Sequence, residues 1–346
     1  MESNVQNPTR AQSTTDAGKS KIAFVTGGTG FIGSHLVEEL HRRGYSEVRC
    51  LVRDRLKWLD GLNVVPVRGD LSDLEAIQEG VRGVDYVYHV AGVTRTPDWS
   101  VFEAANITAT LDLLRVAKEE NPSLEKVLVT SSLAAVGPYS EGVADESTPL
   151  NPISGYGRSK AEMEKALVPF FDELPIVVVR PPAVYGPREA DIYTFFKTVN
   201  SRLCPMVGGG KEPEMSLVHV HDLVRGMVDA AESDATAGEI YFIGSETFYS
   251  WQEIKAATTT ALGKQALTIP VPVALVGTVG AIVEAVSKLT GQYPPLNREK
   301  AREILETCKM CSVEKARRDF GYQQKVPLEE GIREAIAWYK AEGWLK

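Results

Sequence analysis

Short apolar runs alternate with amphipathic stretches over the first two-thirds of the chain, the order expected of a parallel α/β sheet. Lys21–Thr26, Glu47–Val52, Val64–Val67, Val84–Val90, Lys126–Ser131 and Ile176–Arg180 read as strands. Their near-continuous apolar character suits a sheet covered on both faces. Between them Ile32–Arg43, Leu74–Gly80, Phe102–Glu120 and Ser154–Phe171 space their apolar residues at helical intervals. Beyond Gly186 the pattern loosens. Pro205, the run Gly208-Gly209-Gly210 and Pro213 mark loops, and Leu217–Val220 and Glu239–Ile243 read as late strands. From Trp251 the chain is mainly helical and closes on the amphipathic Leu328–Lys340. The pattern predicts a doubly wound parallel α/β sheet with a smaller, mainly helical C-terminal lobe. The expected divisions are a disordered tail over 1–20, a first domain over 21–185 to which late strands near 215–245 return, and a second lobe over 186–346.

Two local motifs carry chemistry. Gly27-Gly28-Thr29-Gly30-Phe31-Ile32-Gly33 follows the first strand and opens the first helix. Glycines there permit a tight turn and let backbone N–H groups approach a pyrophosphate, while the helix N-terminus adds partial positive charge. The pattern resembles the opening of a Rossmann dinucleotide-binding domain. Tyr156 and Lys160 lie four apart on a predicted helix, hence on one face. An ammonium beside a phenol favours the phenolate and turns a weak acid into a usable proton donor or acceptor.

Composition sets bounds. With 43% hydrophobic and 24% charged residues the chain is ordinary for a globular protein, and a net charge of −8 argues against nucleic-acid binding. Met1 to Ser20 is polar, without the apolar run of a secretory signal, so a cytoplasmic location is the default expectation. Cys50, Cys204, Cys308 and Cys311 read as free thiols; Cys308-Lys309-Met310-Cys311 has C-x-x-C spacing without a second pair, and no metal site is expected. The apolar stretch 269–283 is too short for a membrane span. It reads as a buried or pocket-lining helix, with peripheral membrane contact or a greasy substrate as alternatives.

The spacing G-x-x-G-x-x-G after Thr26, together with Tyr156-x-x-x-Lys160, resembles the extended branch of the short-chain dehydrogenase/reductase superfamily over residues 21 to about 245. The resemblance implies that Ser132, in Lys126 to Gly137, bonds the substrate oxygen while Tyr156 transfers the proton, with Ser131 or Thr130 as alternatives. It implies that Lys160 also bonds the nicotinamide ribose. By the same resemblance Asp70 and Leu71 contact the adenine ring, Ala91 and Gly92 line the cofactor, Asn106 occupies the superfamily's helix-four Asn position, and Pro181 and Val184 flank the nicotinamide. Where NAD-binding members carry an acid, this chain has Val52 followed by Arg53. An Arg can pair with the 2′-phosphate of NADP, and the run resembles that of the dihydroflavonol reductase group, so NADP is the expected cofactor. Asp54 on a ribose, with NAD, is the alternative.

The substrate is less legible. Sugar-nucleotide members of the branch carry an Arg where this chain has Met215, and Gly92-Val93-Thr94-Arg95 is a candidate substrate loop. Tyr193, Phe195, Phe196, Met206, Met215 and 269–283 either line a greasy pocket or form ordinary core. They resemble the lobe of the 3β-hydroxysteroid dehydrogenase and dihydroflavonol reductase groups. The expectation is an NADP-dependent oxidoreductase acting on a secondary alcohol or ketone of a bulky, sterol- or flavonoid-like small molecule. An NAD-dependent sugar-nucleotide epimerase or dehydratase is the alternative, and a non-catalytic dinucleotide sensor a further one. The resemblance also implies a homodimer through the Phe102–Glu120 and Tyr156-bearing helices.

Overall fold

A computed structural model of the chain describes residues 20–139, 141–207, 214–272 and 310–346. Strands β1 (Ile22–Thr26), β2 (Glu47–Val52), β3 (Val65–Arg68), β4 (Tyr86–His89), β5 (Lys126–Thr130), β6 (Ile176–Arg180) and β10 (Glu239–Phe242) form one sheet in the order β10-β6-β5-β4-β1-β2-β3. Every pairing is parallel. The chain runs outward from β1 to β3 and then crosses back to β4. The strand order therefore reverses between β1 and β4, and the crevice at their carboxyl ends is where such sheets bind ligands.

Helices α1 (Phe31–Arg42), α2 (Leu74–Val81), α3 (Trp99–Phe102), α4 (Ala109–Glu120), α5 (Gly155–Leu167) and α7 (Val220–Glu232) cover the two faces. Ala23 and Val25 of β1 pack with Leu36 and Leu40 of α1 and Leu223 and Met227 of α7, whereas Phe24 between them packs with Leu113 of α4 and Met163 and Leu167 of α5. The central strands β1, β4, β5 and β6 are buried on both faces, which is why they read as near-continuous apolar runs; each fully buried Val, Leu or Phe contributes about 1.5–3 kcal/mol. Helix starts follow local chemistry. Asp73 caps α2 through the Ala76 N–H, and Ser154 caps α5 through the Gly157 N–H at 3.3 Å. Helix α1 differs: it follows Gly30 with no side-chain cap and no acid in its first turn.

A third core joins α6 (Asp191–Asn200), α8 (Trp251–Leu262) and α10 (Leu328–Ala341), centred on Phe196, Ile254, Ile332 and Tyr339. Helix α9 (Glu314–Phe320) packs against β10 and α7. Four differences from the sequence reading stand out. Strand β9 (Leu217–His219) does not return to the main sheet; it pairs with β7 (Ala183–Tyr185) in a separate ribbon. Residues 102–120 are not one regular helix, because Glu103–Thr108 forms a π-helical segment between α3 and α4. The C-terminal region holds a further parallel pair, β8 (Leu203–Val207) with β11 (Leu267–Val271), so the start of the 269–283 stretch is strand rather than helix. Its residues from 273 onward lie outside the described residues, as does Cys308. Helix α6 falls in the stretch after Gly186 to which the sequence reading assigned no element.

Candidate active site

The glycine turn is built of bare backbone. Gly27 has φ +75°, and a Cβ there would meet the Ala91 nitrogen at 2.6 Å; one on Gly33 would meet the Gly27 oxygen at 2.2 Å. The Gly30 N–H closes the turn onto the Gly27 carbonyl at 3.0 Å. Thr29, Phe31 and Ile32 complete a rim leading into α1. With no side chain capping that helix, its first N–H groups remain for an anion, and the cradle fits a pyrophosphate.

Across the crevice, the ends of β1 and β4 are tied by a buried chain that sequence reasoning missed. Thr26 and His89 are in register. The Thr26 hydroxyl lies 2.8 Å from His89 Nδ1, His89 Nε2 lies 2.8 Å from Thr110 Oγ1, and Thr110 donates to the Asn106 carbonyl at 2.9 Å. Thr110 has one proton and spends it on that carbonyl, so it accepts from His89 Nε2–H, and His89 Nδ1 accepts from Thr26. The imidazole is thereby held neutral; burial, with Lys160 nearby, lowers its pKa to about 3. The chain ends at the π-helical turn, where Asn106 accepts from the Val93 N–H at 2.7 Å and donates to the Val93 carbonyl and the Ser159 hydroxyl, each at 2.8 Å. Asn106 thus fixes the segment after β4 against α5.

That segment brings Ala91 and Gly92 beside the Tyr156 helix. A Cβ on Gly92 would lie 3.5 Å from Lys160 Nζ. Lys160 is 4% exposed and donates to the Thr130 carbonyl at 2.8 Å. Burial lowers its pKa from 10.5 to about 8, with Glu164 acting in the opposite direction. Tyr156 is half-buried one turn earlier on the same face. Ser132 is half-buried, and its Oγ accepts from the Ala134 N–H at 3.1 Å, which leaves the hydroxyl proton for another acceptor. The Leu133 N–H bonds the Pro181 carbonyl at 2.9 Å, tying the Ser132 turn to the end of β6, with Val184 just beyond in β7. The alternatives are differently placed: the Ser131 hydroxyl is buried on Glu164, and Thr130 Oγ1 is buried without a hydrogen-bond partner.

The remaining candidates scatter. Arg53 is exposed just past β2, close enough to Asp70 to act on its charge. Asp70 accepts from the Ser72 N–H and hydroxyl, and its pKa is lowered chiefly by those bonds; Leu71 beside it is half-buried. Thr94 is exposed, and Arg95 pairs with Asp191 of α6 at 2.6 Å. Met215 is 7% exposed within the third core, and Tyr193 packs on Tyr339 and Trp344 and donates to the Trp344 carbonyl. Met215 belongs to the third core, and Tyr193 is partly buried against it. A cavity of about 370 Å³ opens between the 96–102 segment and the start of α5, where the Arg158 guanidinium lies 4.0 Å over the Trp99 ring.

Cys50, Cys204 and Cys311 are buried free thiols, those of Cys50 and Cys311 pushed up to about 12 by burial. Among the described residues, His219, His221 and Glu334 bring three potential ligand atoms within 4.8 Å. His219 Nδ1 accepts from the His221 N–H at 3.4 Å, and His219 Nε2, buried and without a hydrogen-bond partner among the described residues, lies 3.8 Å from a Glu334 oxygen. No helix among the described residues is long and apolar enough to cross a membrane.

A doubly wound sheet with a bare glycine turn at its switch point, facing Tyr and Lys one helical turn apart, defines a dinucleotide-dependent α/β enzyme. The model of the NAD dependent epimerase/dehydratase family matches residues 23–244, and the chain belongs to that family. It is an NAD(P)-dependent enzyme of the extended short-chain dehydrogenase/reductase type. It is 28% identical over 328 residues to a ceramide reductase of Caulobacter vibrioides, covering 94% of this chain and 96% of the relative. It is 28% identical over 334 residues to the sterol-4-alpha-carboxylate 3-dehydrogenase, decarboxylating, of Dictyostelium discoideum, covering 91% and 99%. A solved dTDP-glucose 4,6-dehydratase of Streptomyces venezuelae, with NAD and TYD bound, superposes with a TM-score of 0.75 at 25% identity, covering 94% and 99%.

Proposed function

We propose that the protein is an NADP-dependent oxidoreductase that interconverts a secondary alcohol and a ketone on a bulky, largely apolar molecule. The observation that carries this reading is the buried Lys160 ammonium, held by the Thr130 carbonyl beside Gly92 and one turn from Tyr156. In this reading residues 21–185, with β10 returning to them, hold the cofactor, and 186–346 supply the substrate lobe. Gly27, Gly30, Gly33 and the start of α1 would hold the pyrophosphate, Arg53 the 2′-phosphate, Asp70 and Leu71 the adenine side, and Lys160 the nicotinamide ribose. Ala91, Gly92, Pro181 and Val184 would flank the ring. When bound, the nicotinamide supplies or takes up the hydride.

The chain's own part is proton handling and orientation. In the reducing direction Ser132 donates a hydrogen bond to the substrate carbonyl oxygen and Tyr156 gives that oxygen its proton. The phenolate left on Tyr156 is stabilised by the Lys160 ammonium. In the oxidising direction the same groups run in reverse. The relatives named for a ceramide and a sterol support a greasy substrate. Met215 and Tyr193, in and against the third core, would shape the substrate lobe. The α4 and α5 helices are the proposed homodimer face.

A second reading, an NAD-dependent sugar-nucleotide epimerase or dehydratase, is favoured by the likeness to the dTDP-glucose dehydratase. The two differ in one measurement. A reductase changes nicotinamide absorbance in step with product, whereas an epimerase or dehydratase shows no net change. Tyr156→Phe is expected to lower turnover by about 10²–10⁴-fold while cofactor affinity stays within about threefold. Turnover close to wild type would remove Tyr156 from the acid/base role.

A further inference from the structure

Directly behind the candidate catalytic set lies a buried ion pair that the reaction as described does not use. Glu164 and Arg180 have side chains 3% and 4% exposed. Arg180 Nε donates to both carboxylate oxygens at 3.0 and 3.2 Å, and Nη2 donates to Oε2 at 2.6 Å. The Ser131 hydroxyl donates to Oε1. The Phe242 ring covers the guanidinium at 5.5 Å. A buried ion pair is a poor way to gain stability, since two packed apolar residues commonly do as well or better. Its location gives it another use.

Glu164 stands at the junction of three segments. It follows Tyr156 and Lys160 at successive four-residue steps, so all three share one face of α5. Ser131, which it holds, is flanked by Thr130, the acceptor for Lys160, and by Ser132. Arg180, which it also holds, precedes Pro181, whose carbonyl anchors the Ser132 turn through Leu133. One carboxylate therefore sets the ends of β5 and β6 against the helix that carries the Tyr–Lys pair. It is also the charge that acts on Lys160 against the effect of burial. The other titratable groups beside Lys160 are Tyr156, one turn earlier on its own helix, and His89 on β4, while Arg180 on β6 reaches the same end of the sheet through Glu164. His89 is neutral and Arg180 is spent on Glu164, so Glu164 is the anion available to offset a buried ammonium.

We propose that Glu164 is a positioning residue for the Tyr156–Lys160 pair: it anchors the strand end that carries Ser132 and supplies the counter-charge that lets Lys160 stay cationic while buried. The inference rests on Tyr156 and Lys160 acting as the acid/base pair. Arg180 and Ser131 serve by fixing the Glu164 carboxylate in place.

The test compares wild type with Glu164→Gln, Glu164→Asp and the double variant Glu164→Gln/Arg180→Met. The single Gln variant leaves a buried guanidinium without its anion and is the one most prone to misfold; the double variant removes both charges. Two readouts are taken across pH: kcat/KM for ketone reduction, and the tyrosinate absorbance of Tyr156, obtained by subtracting the matching Tyr156→Phe protein. In the double variant, with thermal melting close to wild type, the alkaline limb of kcat/KM is expected to move to lower pH by one unit or more. Turnover at pH 8 should fall about tenfold, and the Tyr156 tyrosinate should form at higher pH. Glu164→Asp, which keeps the charge, should restore most of the limb. A folded double variant whose limb and tyrosinate titration match wild type would overturn the proposal, as would lost turnover with no pH shift. If wild type reduces no ketone at all, the functional reading fails, and the tyrosinate titration still decides whether Glu164 acts on the pair.

Discussion

Gly33 sits so close to Gly27 that a methyl group on it would lie 2.2 Å from the Gly27 carbonyl oxygen, well inside van der Waals contact. That carbonyl also accepts the Gly30 N–H at 3.0 Å, so it cannot move without opening the turn. Gly28 is different, since a Cβ there would meet the Cys50 sulfur at 3.3 Å, a side chain with some room to give. Gly33→Ala is expected to weaken nicotinamide cofactor binding by more than about tenfold, and Gly28→Ala by less than about threefold, a difference of about 0.7 kcal/mol or more. Cofactor fluorescence titration of the two variants checks this. Equal losses would mean that the turn tolerates a Cβ at Gly33.

Arg53 governs the choice between dinucleotides in the proposed reading. It is exposed just past β2, near Asp70, whose carboxylate is already engaged by Ser72. A charged hydrogen bond to the 2′-phosphate is worth about 1.5–3 kcal/mol, so Arg53→Ala is expected to weaken NADPH binding by about 10- to 100-fold. NADH binding should stay within about threefold. An unchanged NADPH-to-NADH ratio would transfer the assignment to NAD, with Asp54 the residue to examine on the ribose.

The parts of the site that were legible in the sequence are those whose physics is local. A glycine turn between strand and helix, and a Tyr and Lys four apart, declare themselves over a few residues. The same holds for β5, whose Lys126–Thr130 core was read as a strand and found there, because Val127, Leu128 and Val129 are buried on both faces of the sheet. What escaped depends on residues distant in the chain. His89 is an unremarkable strand residue until register places it against Thr26, and Glu164 reads as a helix-surface acid until Arg180 arrives from β6. The π-helical turn at 103–108 was hidden because apolar spacing does not separate it from an ordinary helix; Asn106 owes its aim to it. Met215 was ambiguous in another way: a large apolar residue near a suspected pocket reads the same in sequence whether it lines the pocket or the core, and in the fold it is a member of the third core.

The neutral His89 gives stability a pH dependence that can be read without any substrate. Burial, with Lys160 nearby, lowers its pKa to about 3, and burial, with His221 and His35 nearby, does the same to His219. In the unfolded chain both titrate near 6.5. Between pH 6.5 and 3 the unfolded state therefore binds more protons than the folded one, and stability falls as pH drops through that window. From pH 6.5 to 5 the loss is about 2 kcal/mol for each histidine. His89→Gln removes one of the two titrations while keeping a donor and an acceptor near Thr110 and Thr26. The variant is expected to be less stable than wild type at pH 7.5 yet to lose about 2 kcal/mol less on going to pH 5.0, in urea unfolding at the two pH values. Parallel losses in the two proteins would show that His89 takes up a proton inside the fold, and the bond to Thr26 would then run from His89 Nδ1–H to the Thr26 hydroxyl.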